Sequence, residues 1–84
     1  MMSFFKEVEA KIIDNLNPDK ILIIDKTKLH IKHKSFKSNK FYLKIIIKSE
    51  KLKSMGKINS HKAIYSLLKN EIKEKIHALE IEIN

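Results

Sequence analysis

The chain has 84 residues, enough for one small domain and too few for a second hydrophobic core. It contains no cysteine, which excludes disulfides, thiol catalysis and zinc–thiolate sites. No apolar run is long enough to span a bilayer, and residues 1–5 lack the layout of a secretory signal. We therefore expect a cytoplasmic protein that does not associate with membranes.

The positive charge is concentrated in the middle of the chain. Residues 26–57 hold 11 lysines and one acidic residue, Glu50, so their net charge is +10. The other residues hold 7 lysines and 9 acidic residues, a net charge of −2. All basic residues are lysines, which act as point charges and recognise phosphate less specifically than arginine. The basic region fits either a solvated surface or a surface that binds nucleic acid.

The first part of the chain predicts a helix followed by a strand. Ser3 is a suitable N-cap, and apolar residues recur at helical spacing at Phe5, Val8, Ile12, Ile13 and Leu16. Pro18 disfavours the α conformation at Asn17 and so ends this helix. The continuous apolar run at residues 21–24 predicts a buried strand.

A polar, lysine-rich stretch covers residues 25–40, and connections of this length are typically functional or mobile. Alternation of apolar and polar residues predicts a strand at residues 41–48 and another at 77–83, with His77 on the inward-facing side of the latter. Between them, residues 49–53 predict one helical turn. Gly56 is expected at positive φ, and Asn59 or Ser60 is expected to cap the main helix.

The predicted order is helix, strand, strand, short helix, helix, strand. Helices on one face of a single sheet would bury most of the apolar residues. We therefore predict an α+β domain over residues 1–84.

Two segments of the sequence resemble the signature of the BolA-like family. Residues 52–65, LKSMGKINSHKAIY, align without gaps with the pattern F-x-G-K/M-S/G-x-V/I/L-x-R-H-R-x-V/I-Y/H/N, and residues 76–79, IHAL, match I-H-A-L/F/V. Ser54 replaces the usual glycine, and Ser60 and Lys62 replace the usual arginines. The resemblance implies a three-stranded mixed sheet similar to the type II KH fold, although no G-x-x-G loop of the KH type is present.

The resemblance also indicates candidate metal ligands. His77 matches the family's recurrent iron ligand, although a lone histidine at a strand end is more often structural. Residues 24–27, IDKT, followed by His30 and His33, resemble the family's I-D-x-S/T segment with its downstream H-x-x-H, where members supply a second histidine or cysteine ligand. We favour His30, with His33 as the alternative. His61 is expected to be a surface histidine.

By resemblance, the chain is a non-enzymatic adaptor in iron–sulfur cluster and iron homeostasis, with a monothiol glutaredoxin as its partner. The two proteins would share a [2Fe–2S] cluster, held by thiolates of glutaredoxin and glutathione and by imidazoles of His77 and His30 or His33. Such clusters are normally held by cysteine, so we expect this chain to bind none alone. It carries no P-loop, dinucleotide fingerprint or H-E-x-x-H motif, and no catalytic residues are predicted.

An alternative interpretation is a nucleic-acid-binding transcriptional regulator that uses a KH-like scaffold and a lysine-rich surface. The candidate DNA-contacting residues are Lys32, Lys34, Lys37, Lys53, Lys57 and Lys62. Binding through lysine and phosphate should weaken steeply as salt rises. A third interpretation is a purely structural partner domain. The sequence leaves open whether the free protein is a monomer or a weak homodimer.

Overall fold

The structure, a computed structural model, describes residues 3–27 and 41–84. The elements in chain order are α1 (Phe4–Leu16), β1 (Lys20–Asp25), β2 (Phe41–Lys48), α2 (Glu50–Ser54), α3 (Lys57–Leu67), α4 (Lys69–Glu74) and β3 (Ile76–Ile83). The predicted α+β class and the predicted order of elements are confirmed, except that the main helix is divided into α3 and α4.

Helix α1 begins and ends as predicted. The Ser3 side chain accepts a hydrogen bond from the Lys6 backbone N–H at 3.2 Å, and Asn17 closes the helix in the left-handed conformation at φ 45°. Val8 and Ile12 are fully buried, whereas Ile13 is 41% exposed. The inward face of α1 is therefore narrower than predicted, because Ile13 points away from the sheet.

The three strands form one mixed sheet in the order β1-β2-β3. β2 lies in the centre, antiparallel to β1 and parallel to β3. The predicted strand at residues 41–48 is confirmed, and its residues Leu43, Ile45 and Ile47 are buried. The prediction that residues 21–24 form a buried strand is wrong: β1 is an edge strand, and Leu22 is 56% exposed.

Local sequence determines where α2 and α3, the two helices after β2, begin. Ser49 caps α2 by accepting the Leu52 N–H at 3.2 Å. Gly56, at φ 84°, is the N-cap of α3, so the predicted caps Asn59 and Ser60 are wrong and both lie inside the helix. Ser60 is buried, and its hydroxyl donates to the Lys57 carbonyl at 3.1 Å.

The helices cover one face of the sheet and share a core with it. An ion pair between Lys11 and Glu71, at 3.1 Å, also joins α1 to α4. The central core residues come from both layers: Val8, Ile12, Ile45, Ile47, Leu52, Ile64 and Leu68. Within residues 3–27 and 41–84, no helix is both long and apolar enough to cross a bilayer.

Candidate functional site

An irregularity in the pairing of β2 with β3 determines where His77 lies. Phe41 pairs with Ile76, but the next residue, Tyr42, pairs with Ala78, so His77 is an additional residue in β3. Ile76 is buried and His77 is exposed. A bulge of this kind redirects a side chain and disrupts the alternation of faces. The prediction that His77 shares the inward side of the strand with Leu79 is therefore wrong.

The imidazole of His77 packs against the ring of Tyr42. The ring centroids are 5.0 Å apart and the ring planes are inclined by 52°. Tyr42 alternates with the inward-facing Leu43, so it lies on the sheet face away from the helices, yet it is only 3% exposed. His77 therefore combines an exposed imidazole with a buried aromatic support.

The backbone of Tyr42 also contacts the end of β1. Its carbonyl accepts the Lys26 N–H at 2.7 Å, and its N–H donates to the Thr27 hydroxyl oxygen at 3.3 Å. Thr27 is itself held by Asp25, whose carboxylate accepts the Thr27 N–H at 2.9 Å and also the Thr27 hydroxyl. Thr27 is therefore joined by one hydrogen bond to Tyr42, the residue whose ring packs against His77.

The other two predicted metal ligands, His30 and His33, lie outside the described residues, as do Lys32, Lys34 and Lys37. The assignment of a second ligand therefore stays a prediction. His30 follows Thr27 by three residues in the sequence, a contour length of about 10 Å.

An aromatic cluster supports the strand pair next to the bulge. The Phe41 ring stacks on Phe4, with centroids 5.2 Å apart, and meets the edge of Phe5 at 5.1 Å. The Phe41 N–H donates to the Lys75 carbonyl at 2.8 Å, and the Lys75 ammonium lies 5.4 Å from the Phe4 ring centroid. These contacts attach α1 to the start of β2 and to Lys75, the residue before β3. Helical spacing predicts Phe5 as an apolar residue of α1 and gives no sign of this cluster.

The predicted nucleic-acid contacts within the described residues lie on α2 and α3. Lys53, Lys57 and Lys62 are all exposed. Lys53 and Lys57 border a surface groove of about 370 Å³ between these helices and β3, and the half-buried His61 also lines it. Lys62 does not line this groove. His61, expected at the surface, is half-buried, and no sequence pattern indicates the groove.

Among residues 3–27 and 41–84, no three histidine, aspartate or glutamate side chains are grouped closely enough to hold a metal ion. His77, which is exposed, offers one imidazole as a potential metal ligand. These features define a small α+β domain that presents one histidine at a strand bulge.

Comparisons with known proteins agree with this class. The model of the family described as BolA-like protein matches residues 12–84. An uncharacterized protein in the cobS 5′ region of Sinorhizobium sp. is 29% identical over 83 residues, covering 96% of this chain and 89% of that protein. The DNA-binding transcriptional regulator BolA of Haemophilus influenzae is 30% identical over 82 residues, covering 98% of this chain and 77% of that protein.

Solved structures show the same fold. The BolA domain of SufE1 from Arabidopsis thaliana superposes with a TM-score of 0.83 at 24% identity, covering 100% of this chain and 93% of that one. BolA1 from Arabidopsis thaliana gives a TM-score of 0.78 at 22% identity, covering 99% and 92%. The chain belongs to the BolA-like family.

Proposed function

We propose that this protein is a non-enzymatic adaptor in iron–sulfur cluster and iron homeostasis, and that it shares a [2Fe–2S] cluster with a monothiol glutaredoxin. The observation that carries the proposal is the exposed imidazole of His77, presented outward by the bulge in β3. An exposed histidine leaves its ring nitrogens accessible to a group brought by another protein.

The chemistry of the available donors supports a shared cluster. Iron–sulfur clusters are held by thiolates, and histidine replaces cysteine on one iron in some centres, which raises the reduction potential. This chain supplies imidazoles and no thiolate, so glutaredoxin and glutathione would supply the sulfur ligands. In this proposal the adaptor supplies two imidazole ligands, one from His77 and one from His30 or His33.

The surroundings of His77 support its role as a fixed ligand. The Tyr42 ring contacts one side of the imidazole. The residues before and after His77 in β3 both pair with β2, so the backbone of the bulge is held in the sheet. Side chains that are already ordered lose less conformational entropy when they bind. The Lys26 N–H donates to the Tyr42 carbonyl and the Tyr42 N–H donates to the Thr27 hydroxyl oxygen, so the residues that precede His30 and His33 in the sequence lie at the same end of the sheet as His77.

The test is reconstitution with a monothiol glutaredoxin, glutathione, iron and sulfide. We expect the mixture to give a visible absorption and circular dichroism spectrum that differs from that of the glutaredoxin cluster alone, because imidazole replaces thiolate ligands. An unchanged glutaredoxin spectrum in the presence of excess adaptor would contradict the proposal.

DNA binding is a second candidate function, because one relative at 30% identity is named a DNA-binding transcriptional regulator. Lys53, Lys57 and Lys62 are exposed and available for phosphate contacts. Retention on DNA that falls steeply between low and physiological salt would identify non-specific phosphate contacts. A sequence-specific complex that survives physiological salt would favour this function over the adaptor.

A further inference from the structure

The hydrogen bonds of Asn84 show which backbone groups of β3 point toward β2 and which point toward its outer edge. The Asn84 N–H donates to the Ile47 carbonyl at 2.8 Å, and the Asn84 carbonyl accepts the Ser49 N–H at 3.2 Å, so both peptide groups of Asn84 point toward β2. In a strand, the direction of the peptide groups alternates from one residue to the next. The backbone groups of Leu79, Ile81 and Ile83 therefore point away from the sheet.

One end of this outer edge is closed and the other is open. The Tyr65 hydroxyl donates to the Leu79 carbonyl at 3.1 Å. The outward N–H and carbonyl groups of Ile81 and Ile83 have no hydrogen-bond partner among the residues that the structure describes. A row of unpaired strand groups is a template for pairing with another extended chain.

The groove of about 370 Å³ runs beside this open edge, with Ile81 and Ile83 on one side and Lys53, Lys57 and His61 on the other. The three ion pairs within the described residues do not involve Lys53 or Lys57. The one acidic residue in the lining, Glu82, is paired with Lys44 at 3.5 Å. The helix side of the groove is thus positively charged.

We propose that this groove binds an extended, acidic segment of a partner protein, which adds to the sheet as a fourth strand. Its backbone hydrogen-bonds to Ile81 and Ile83, and its carboxylate side chains lie against Lys53 and Lys57. Main-chain hydrogen bonds supply affinity in this mode of recognition, and side chains supply specificity. The site begins four residues beyond His77, on the order of 13 Å along the strand, so it goes beyond the cluster proposal and is tested separately.

A second copy of the chain fits this edge poorly. Antiparallel pairing of two β3 strands about a two-fold axis places Glu80 opposite Glu82 of the other copy, or Glu82 opposite itself. Like charges directly opposite each other destabilise a strand pair. A nucleic acid matches the lysines but offers no regular row of backbone N–H and carbonyl groups to Ile81 and Ile83. An acidic polypeptide strand satisfies both features.

The experiment uses the full chain and a capped heptapeptide of alternating glutamate and valine. Amide hydrogen exchange is followed by NMR with and without the peptide. We expect the amides of Ile81 and Ile83 to exchange rapidly in the free protein and slowly in the complex. The amides of Glu80 and Glu82, which point toward β2, should be protected in both states and serve as internal controls.

Two N-methylated versions of the peptide test the backbone contacts. One carries N-methyl groups on the odd-numbered amides and the other on the even-numbered amides. Because alternate amides of a bound strand face the sheet edge, one version should lose binding and the other should retain it. Equal binding of both versions would overturn the proposal.

Charge changes test the groove itself. Reversing both lysines, K53E with K57E, should weaken binding of the glutamate peptide by about fivefold or more, the range expected for two exposed ion pairs. The matched double reversal K6E with K69E, on α1 and α4 outside the groove, changes the net charge equally and should change the binding by less than about twofold. Equal effects of the two reversals would reduce the interaction to general charge attraction and overturn the site.

Two further outcomes would assign the groove to another occupant and overturn the proposal. Displacement of the peptide by decathymidylate, with steep salt dependence, would identify a nucleic-acid groove. Protection of Ile81 and Ile83 that rises with protein concentration in the absence of peptide, together with dimers in sedimentation, would identify a second copy of the chain.

Discussion

The buried ring of Tyr42 supports the exposed ring of His77, with 5.0 Å between their centroids. Contacts between aromatic rings in such geometries contribute about 0.5–1.5 kcal/mol beyond the burial of area. The contact restricts the imidazole on one side and leaves the other side accessible. His77 is therefore held in position without being buried, which is compatible with the ligand role proposed for it.

Changing His77 to alanine separates ligation from folding. We expect H77A to abolish the histidine-ligated spectrum of the glutaredoxin complex, since the exposed imidazole is removed. Its free energy of unfolding should change by only about 0.5–1.5 kcal/mol, because the main loss is one ring contact. Visible circular dichroism and thermal melting measure the two effects.

The matched control is H61A, a histidine in the groove on α3, which should keep the cluster spectrum. A native-like spectrum for H77A on the glutaredoxin complex would show that His77 is only a residue at the sheet margin and that its assignment as a ligand is wrong.

The second ligand is tested by comparing H30A with H33A. We expect H30A to weaken the histidine-ligated spectrum strongly. H33A should either have the same effect or leave partial ligation, because the two side chains are alternatives for one coordination position. Iron and sulfide content per complex is measured alongside the spectrum. If the double variant H30A/H33A retains full ligation, the segment at residues 28–40 supplies no ligand.

The isolated protein should purify without colour and should not retain a stoichiometric [2Fe–2S] cluster after reconstitution alone. The reason is chemical: the chain has no cysteine, and imidazoles alone rarely hold such a cluster. Absorption between 300 and 600 nm, with iron and sulfide analysis, measures this. A stable cluster spectrum from the isolated chain would contradict the shared-ligand proposal.

Much of the fold was predictable because its signals are local. Ser3 caps α1 as predicted, Gly56 has the predicted positive φ, and the alternation in residues 41–48 identifies a strand with one buried face. The site was less predictable, because the orientation of His77 depends on the pairing of β3 with β2. Strict alternation places His77 inward, and only the register shift between Phe41 and Tyr42 reverses it.

Local sequence patterns also could not predict the exposure of β1 or the groove beside β3. An apolar run such as residues 21–24 fits a central or an edge strand equally well, and the position of a strand in the sheet is decided by distant contacts. The open backbone groups of Ile81 and Ile83 follow from β3 being the opposite edge strand. Sequence spacing does not report which strand lies at an edge.

The lysine-rich segment is tested by changing Lys32, Lys34 and Lys37 to glutamine. We expect glutaredoxin binding, measured by calorimetry, to remain nearly unchanged if this charge serves only as a solvated surface. Weak retention on DNA at low salt should fall strongly, because three phosphate-binding charges are removed. A DNA complex that persists at physiological salt in this triple variant would favour the regulator interpretation.

Gly56 is the position where the backbone itself restricts substitution. Its φ of 84° and ψ of 160° belong to a region that only glycine occupies readily. A Cβ at this position would meet no atom within 4 Å, so the cost of G56A comes from the backbone conformation and not from a clash. We expect G56A to lower the free energy of unfolding by about 1–3 kcal/mol.

The control is the exposed Lys53 on α2, and K53A should change the free energy of unfolding by less than about 0.5 kcal/mol. Urea denaturation of both variants measures the difference, and equal stabilities would show that α3 can begin without a glycine at its N-cap.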